Sequence, residues 1–449
     1  MLVDNNFDAE FSIKTLTRIS WEHARAKSHR GADGVSPQQY DRGALYDLSQ
    51  ARDRIEEKRF KFTRLKRIYK PKHDSPRSRE VQIPTVRDRV VLTALKNYLE
   101  SKGLPKGPGL PTSVTSEIYR RVRKSGSGLK AFARTDISNF FPSINHQHLL
   151  MVLDSMKLDY RAVYLVARAL ELSDGDGVGV PQGISISTCL TEFYLNSILA
   201  PVFKEIRKDG SEVFRYVDDF LILSPSKSDA KRHVSAVKSL LGLHGLSIYS
   251  FSHSGSGKSE LGWLSDGFLF LGYNFDCNGA SVPKRRVATV LDRVSSTLHA
   301  YMREFSEPGK RDHAAARANW YMRIAMNGCV WRGRRRGWLP YYLGTNDLQA
   351  FALVTRHSRR MIEKHGLGDV IEAPSMVEGY FSYRRKRADR ILDLDVLSVD
   401  DRKTWLIEVC SISRSFVDTY SESEINAEFD AQVGARLDSL EVDLSLQVY

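Results

Sequence analysis

Phe214-Arg215-Tyr216-Val217-Asp218-Asp219-Phe220-Leu221-Ile222-Leu223 sets two adjacent carboxylates between two apolar arms. The arms have strand composition, and the acids fall where the chain must turn. Neighbours along a strand point to opposite faces, but a tight turn brings both acids to one edge. Asp is also an ordinary turn residue, so the motif alone leaves a plain hairpin open. Burying a carboxylate pair without counter-charge is costly, and a divalent cation relieves that cost. A second short apolar stretch, Phe132-Ala133-Arg134-Thr135-Asp136-Ile137, leads to another acid, Asp136. Taken by itself, Asp136 is a strand-end or helix-capping residue. Three acids on two strands that each end in a turn make the pattern of a two-metal site. In such a site one metal activates a 3′-hydroxyl, and the other holds a triphosphate and stabilises the leaving pyrophosphate. Mg2+ suits hard carboxylate ligands and keeps waters and phosphate oxygens in its shell, so the expected cofactor is Mg2+, two per site.

Outward from this stretch, the chain of 449 residues has room for two or three domains or subdomains. Hydrophobic residues are 42% and charged residues 27%, which argues against wholesale disorder. Lys plus Arg is 67 against 54 Asp plus Glu, a formal charge of +13 that suggests a polyanion partner. The excess is uneven. Residues 416–449 carry eight acids and one base, a tail of −7 that leaves +20 on the remainder. Such a tail usually just solvates, and less often packs on the basic body or meets a partner. Four basic clusters stand out: Lys58–Lys72, Arg120–Lys124, Trp331–Trp338 (WRGRRRGW) and Arg384–Arg387. Aromatic residues interleave the first and third, a mix that neutralises phosphates and stacks on bases. The four cysteines form no C-x-x-C pair, against a zinc ribbon or a disulfide scaffold. No signal sequence and no apolar run of about 18 residues is present. The expectation is a cytoplasmic, reducing location and no membrane partner.

Punctuation by Gly and Pro gives the elements. Residues 7–30 read as helical, 60–84 as a β-hairpin, 86–101 as a helix and 131–137 as a strand. One or two helices cover 146–172. The Gly-rich loop Asp174–Gly183 leads into a helix to about residue 205. After Pro283 the chain reads as mostly helical to about 365. The segment SHSGSGKSE at 252–260 mimics the end of a P-loop, but position 252 is Ser where that motif needs Gly. Twelve histidines show no metal spacing.

The ordered set Asp136-x4-Phe141, Pro181-Gln182-Gly183, Tyr216-Val217-Asp218-Asp219 and Phe270-Leu271-Gly272-Tyr273 resembles the palm of reverse transcriptases. Gly31-Ala32-Asp33-Gly34-Val35 is similar to an N-terminal element of bacterial reverse transcriptases. Tyr69–Lys72 and Arg79–Arg89 are similar to their fingers motifs. The resemblance spans about residues 30–275. It implies an α+β, right-hand polymerase fold: fingers, a ferredoxin-like palm with an antiparallel sheet, and a helical thumb. The corresponding segments would be 1–128 (N-terminal extension and fingers), 129–282 (palm with returning fingers helices) and 283–365 (thumb). Residues 366–449 receive no assignment: packing on the thumb, gripping RNA through Arg384–Arg387 and mediating assembly all stay open.

The same resemblance implies site roles. Asp136, Asp218 and Asp219 would be catalytic, holding metal together with the carbonyl of Ile137. Lys70 and Arg79 would neutralise the incoming triphosphate, with Arg77 close enough in spacing to replace Arg79. Phe141 falls where the family carries its aromatic gate against a 2′-hydroxyl, which implies deoxynucleoside triphosphates. Without the motif, Phe141 reads as a core residue beside Phe140. Gln182 and Gly183 would line the nucleotide, and Lys258 would be the family's pyrophosphate-side lysine. Tyr216 and Arg334, Arg335 and Arg336 are candidate nucleic-acid contacts.

Within the family, Arg336-Gly337-Trp338-Leu339-Pro340-Tyr341-Tyr342 looks like the thumb of the bacterial defence-associated (unknown-group or abortive-infection) enzymes, related to retron and group II intron enzymes. That likeness implies antiphage defence, an RNA template in the form of a dedicated non-coding RNA, and a DNA product. A homo-oligomer or an accessory protein is left open. Two other functions also stay open: a template-independent or protein-primed DNA polymerase, and a catalytically silent RNA-binding protein.

Overall fold

The computed structural model describes residues 4–25, 29–72, 75–107, 111–123, 128–251, 258–307, 311–385 and 391–440. The side chains of Arg25, of residues 70–79 and of residues 311–312 lie outside that description. The chain divides into two compact units, residues 1–109 with 128–264, and residues 110–127 with 265–448.

The first unit opens on helices Asn5–Glu10, Ile13–Arg25 and Ala44–Glu56. The hairpin expected at 60–84 is present as β1 (Lys66–Lys72) and β2 (Ser75–Ile83), antiparallel, with Lys66 opposite Ile83. It ends where Thr85 caps the helix Val86–Ser101, its hydroxyl accepting from the Asp88 N–H. That helix buries Val90, Val91, Leu95 and Leu99 completely, which makes it a core element rather than a surface one.

The palm sheet follows. β3 (Ala131–Ser138) is buried along most of its length, as suits an apolar strand with neighbours on both edges. Helices His146–Asp154, Tyr160–Leu170 and Ser187–Lys208 then lead to β4 (Glu212–Tyr216) and β5 (Asp219–Ser224). Helix Lys227–Leu243 returns the chain to β6 (Ser247–Ile248) and β7 (Glu260–Trp263). The spatial order is β4-β5-β3, with β6 and β7 both pairing β3 on its far side, and every pairing is antiparallel. That is the split β-α-β-β-α-β arrangement. The fold class is therefore α+β with the ferredoxin-like antiparallel palm of a right-hand polymerase, as expected from the sequence.

The second unit holds β8 (Phe268–Phe270), β9 (Tyr273–Asp276) and β10 (Gly279–Ser281), then helices Lys284–Phe305 and Arg311–Asn327. The stretch after Pro283 is not helical throughout. WRGRRRGW supplies a β-hairpin, β11 (Cys329–Trp331) and β12 (Arg334–Arg336), with Arg332 at φ +53° and Gly333 at φ +67° in the turn. Its β11 strand also pairs in parallel with β13 (Leu392–Asp393).

The acidic tail is corrected too. Residues 422–440 are not a solvated tail but a helix, Glu422–Leu440. Ile425, Phe429, Val433 and Leu437 lie four residues apart and are buried against Trp320, Trp331, Trp405 and Leu406. An apolar stripe at helical spacing outweighs the charge of the opposite face. Among the described residues, no helix is long and apolar enough to cross a membrane.

Candidate active site

β4 and β5 are joined by a two-residue turn, Val217-Asp218, since Tyr216 pairs with Asp219. Val217 sits at φ +55°. A β-branched residue is strained there, and such strain persists only when the surroundings over-determine it. The surroundings are specific. Arg215 donates to the Val217 carbonyl at 2.7 Å and to Glu192 on helix Ser187–Lys208 at 2.6 Å. Both side chains of that ion pair are about nine-tenths buried, so the turn is clamped from below. Sequence reading missed Arg215 and Glu192. The signal was present in the outward parity of Arg215 between two apolar strand residues.

On the neighbouring strand, Asp136 pairs directly with Asp219. The Ile137 N–H donates to the Asp218 carbonyl at 3.2 Å. All three aspartates are thus set at one corner of the sheet by backbone registry. Asp136 and Asp218 are each 6% exposed, whereas Asp219 is intermediate. Among the described residues, Asp136 Oδ1 is buried without a hydrogen-bond partner. Its other oxygen, Oδ2, receives the Lys258 ammonium at 2.5 Å. Lys258 is held there by its neighbours. Ser259 bonds Thr135 at 2.7 Å and the Tyr249 carbonyl at 2.7 Å, and Glu260 pairs with Arg134 at 2.8 Å.

Desolvation, and then the charge of Asp136, push the Asp219 carboxyl up to about 7, against the pull of Lys258 and Arg134. The sign of its effect on stability follows. Between an ordinary value of 3.8 and about 7, the folded chain holds a proton that the unfolded chain has released. Stability therefore falls as pH rises through that window. A cation bound at this corner offsets the charge only where the carboxyl is ionised. Mg2+ is expected to raise the melting temperature more at about pH 8 than at about pH 5.5. Equal shifts at both pH values, in a thermal denaturation series, would count against metal binding by this group.

The donor set fits Mg2+. It is all oxygen, it includes a buried acceptor without a partner, and its like charges repel. Among the described residues, no three carboxylate, imidazole or thiol groups close around a single point. Mg2+ does not require that, because it commonly takes one or two carboxylates and completes its shell with waters and phosphate oxygens.

Phe141, Gln182 and Gly183 wall one cavity of about 340 Å3, together with Glu80, Arg89 and Thr188. That volume lies in the range of small-molecule sites. The Val180 N–H donates to the Phe141 carbonyl at 2.8 Å, which ties the two motifs together. Gly183 has φ +112°, and a Cβ there would lie 2.4 Å from the Gln82 carbonyl oxygen. Its freedom is therefore used to pass the β2 backbone. Arg89 gained no individual role from sequence, yet its guanidinium lines this cavity and donates to the His29 carbonyl at 2.5 Å.

The remaining expected contacts fall elsewhere. Lys70 and Arg79 face each other across the β1–β2 pair, and their side chains lie outside the described residues. Tyr216 is 2% exposed, so its ring is not presented to solvent. Arg334, Arg335 and Arg336 form β12 of the second unit.

Residues 70–275 match the family described as Reverse transcriptase (RNA-dependent DNA polymerase). An uncharacterised 91 kDa protein in the cob intron of Schizosaccharomyces pombe is 24% identical over 216 residues, 44% of this chain and 26% of that protein. The telomerase reverse transcriptase of Mus musculus is 35% identical over 71 residues, 16% of this chain and 6% of that protein. The chain thus spans about a quarter or less of the length of these relatives. Among solved structures, apo telomerase from Candida tropicalis superposes with a TM-score of 0.41 at 11% identity, covering 86% of this chain and 68% of that one. Telomerase from Candida albicans gives 0.38 at 13% identity, covering 85% and 69%. The family match covers β3, the turn Val217-Asp218 and the Phe141–Gly183 cavity wall, and over residues 70–275 the chain is similar to reverse transcriptases.

Proposed function

We propose that the chain is an RNA-directed DNA polymerase that adds deoxynucleotides to a 3′-hydroxyl. The observation that carries this reading is the corner where Asp136 faces Asp219 across two strands, beside Asp218 in a clamped turn. Asp136, Asp218 and the Ile137 carbonyl would hold two Mg2+ ions, with Asp219 as third carboxylate. The chemistry so supplied is activation of the 3′-hydroxyl and charge stabilisation on the pyrophosphate. Phe141, 4% exposed and on the cavity wall, would exclude a 2′-hydroxyl. Lys70, Arg79, Gln182 and Gly183 would bind the nucleotide, and Lys258 would exchange Asp136 for the triphosphate. The segments 1–128, 129–282 and 283–365 would serve as fingers, palm and thumb.

The finer reading is a bacterial antiphage enzyme copying a non-coding RNA. Its support is the likeness of Arg336–Tyr342 to that class, which is analogy rather than chemistry. Primer extension tests the core of the proposal: the purified chain, an annealed RNA template and DNA primer, deoxynucleotides and Mg2+. Template-complementary DNA is the expected product. Product independent of template sequence would favour terminal or protein-primed synthesis. Bound RNA without any DNA synthesis would favour the silent RNA-binding protein. Sequencing the RNA and DNA that co-purify with the chain would identify the template.

A further inference from the structure

Five arginines of the second unit are sorted by the fold into two groups. On the β11–β12 hairpin, Arg332 pairs with Asp430 at 3.1 Å and Arg336 with Asp438 at 3.0 Å. Both acids belong to helix Glu422–Leu440, and both guanidiniums lie over the Trp331 ring, at 4.5 and 5.5 Å. That helix cannot be lifted away cheaply, because its buried Phe429, Val433 and Leu437 anchor it in the core. Its acids are therefore a fixed part of this face, and they repel phosphate.

Arg335 has the opposite strand parity and leaves that face. Its guanidinium lies 5.4 Å from the Tyr383 ring centre and donates to the Tyr383 carbonyl at 3.3 Å. This contact joins the third basic cluster of the sequence to the fourth, at the end of helix Met376–Arg385. There Arg384 lies over the Tyr380 ring and donates to its hydroxyl at 2.7 Å. Arg385 lies over Phe381 at 5.4 Å. All three arginines are exposed, and none has a carboxylate partner among the described residues. Each guanidinium is propped on an aromatic ring, which restrains it while leaving N–H groups for a ligand. Tyr380 and Tyr383 are 4% and 2% exposed, so they are not offered as stacking platforms for bases.

We propose that Arg335, Arg384 and Arg385 form a docking surface for the phosphodiester backbone of a folded RNA, and that the acidic helix bars that RNA from the Arg332–Arg336 side. The surface reads charge and not sequence. The choice of RNA over DNA rests on the polymerase reading above. The surface itself rests on the sorted arginines.

The test is binding of the full chain, in EDTA and without nucleotides, to a labelled RNA stem-loop and to a DNA stem-loop of the same sequence across a salt series. The triple variant Arg335→Ala/Arg384→Ala/Arg385→Ala is expected to lower the slope of log affinity against log salt by ~2–3 and to raise Kd for RNA at least about tenfold. The Lys versions of the same three positions should keep most of the slope, which separates lost charge from lost folding. The control Arg332→Ala should leave slope and Kd near those of the parent. A triple variant that binds RNA like the parent overturns the surface, and so does a control that weakens binding equally. Equal loss on the DNA stem-loop overturns the assignment to RNA. Primer extension is measured separately on the parent chain. Absence of synthesis there, with the arginine effect intact, removes the polymerase reading and leaves the surface.

Discussion

Asp218→Asn is expected to lower nucleotide incorporation by about a thousandfold or more while leaving the fold as stable as the parent, or slightly more so. On the proposed function, Asp218 would be a charged metal ligand, and its loss would remove several kcal/mol of transition-state stabilisation. The stability expectation has the opposite sign because burial and the charge of Asp136 already disfavour ionised carboxylates at this corner. Asp218 is 6% exposed beside Asp136 and Asp219, and the Asp219 carboxyl is already pushed up to about 7 by burial and by Asp136. Asn keeps the shape of the turn and removes the charge of a nearly buried carboxylate. Steady-state extension and thermal denaturation on the same preparation check both halves. A variant with near-parent extension would remove Asp218 from the chemistry. Lost extension with a large drop in melting temperature would mean that the residue serves the turn and not the metal.

Arg161→Met is expected to cost about 3–5 kcal/mol. Arg161 is 4% exposed at the start of helix Tyr160–Leu170. Its guanidinium meets Asp159 at 2.8 Å, Asp8 at 2.8 Å and Glu56 at 2.7 Å, and it covers the Phe7 ring at 4.4 Å. Those partners come from three separate helical segments. Its removal leaves the Asp159 carboxylate, whose side chain is 0% exposed, buried without its cation. That residual charge, rather than the worth of the pair itself, makes the substitution costly. Chemical denaturation of the parent and Arg161→Met chains measures the difference. A cost below about 1 kcal/mol would show that water reaches Asp159 once the arginine is gone.

Much of the palm is legible in the amino-acid sequence. Strand composition around Asp218-Asp219 and ahead of Asp136 predicts two arms and their turns, and the fold has β3, β4 and β5 there. The hairpin at 60–84 is legible for the same reason: alternation of residues is a local property. Reading fails where long-range packing overrides local composition. The acidic segment looks solvated because charge dominates its count. Its apolar residues at four-residue spacing gain more from burial against Trp320, Trp331 and Trp405 than its acids lose. WRGRRRGW reads as part of a mostly helical run, yet its turn residues and its pairing with Leu392-Asp393 make it a hairpin.

By itself, then, the sequence determined the identity and order of the chemical groups: Asp136, the Phe141 position, Gln182-Gly183 and Asp218-Asp219, on elements whose type follows from local periodicity. Tertiary structure alone decided which groups meet. It set Asp136 opposite Asp219, brought Lys258 to Asp136, ran Arg215 onto Glu192 beneath a strained turn, and divided the arginines of one hairpin between an acidic helix and an aromatic one. The physical reason is range. Strand and turn propensities act over a few residues, whereas ion pairs and strand registry join positions more than a hundred residues apart, as Lys258 and Asp136 are. Nothing in the local sequence of either partner specifies the other.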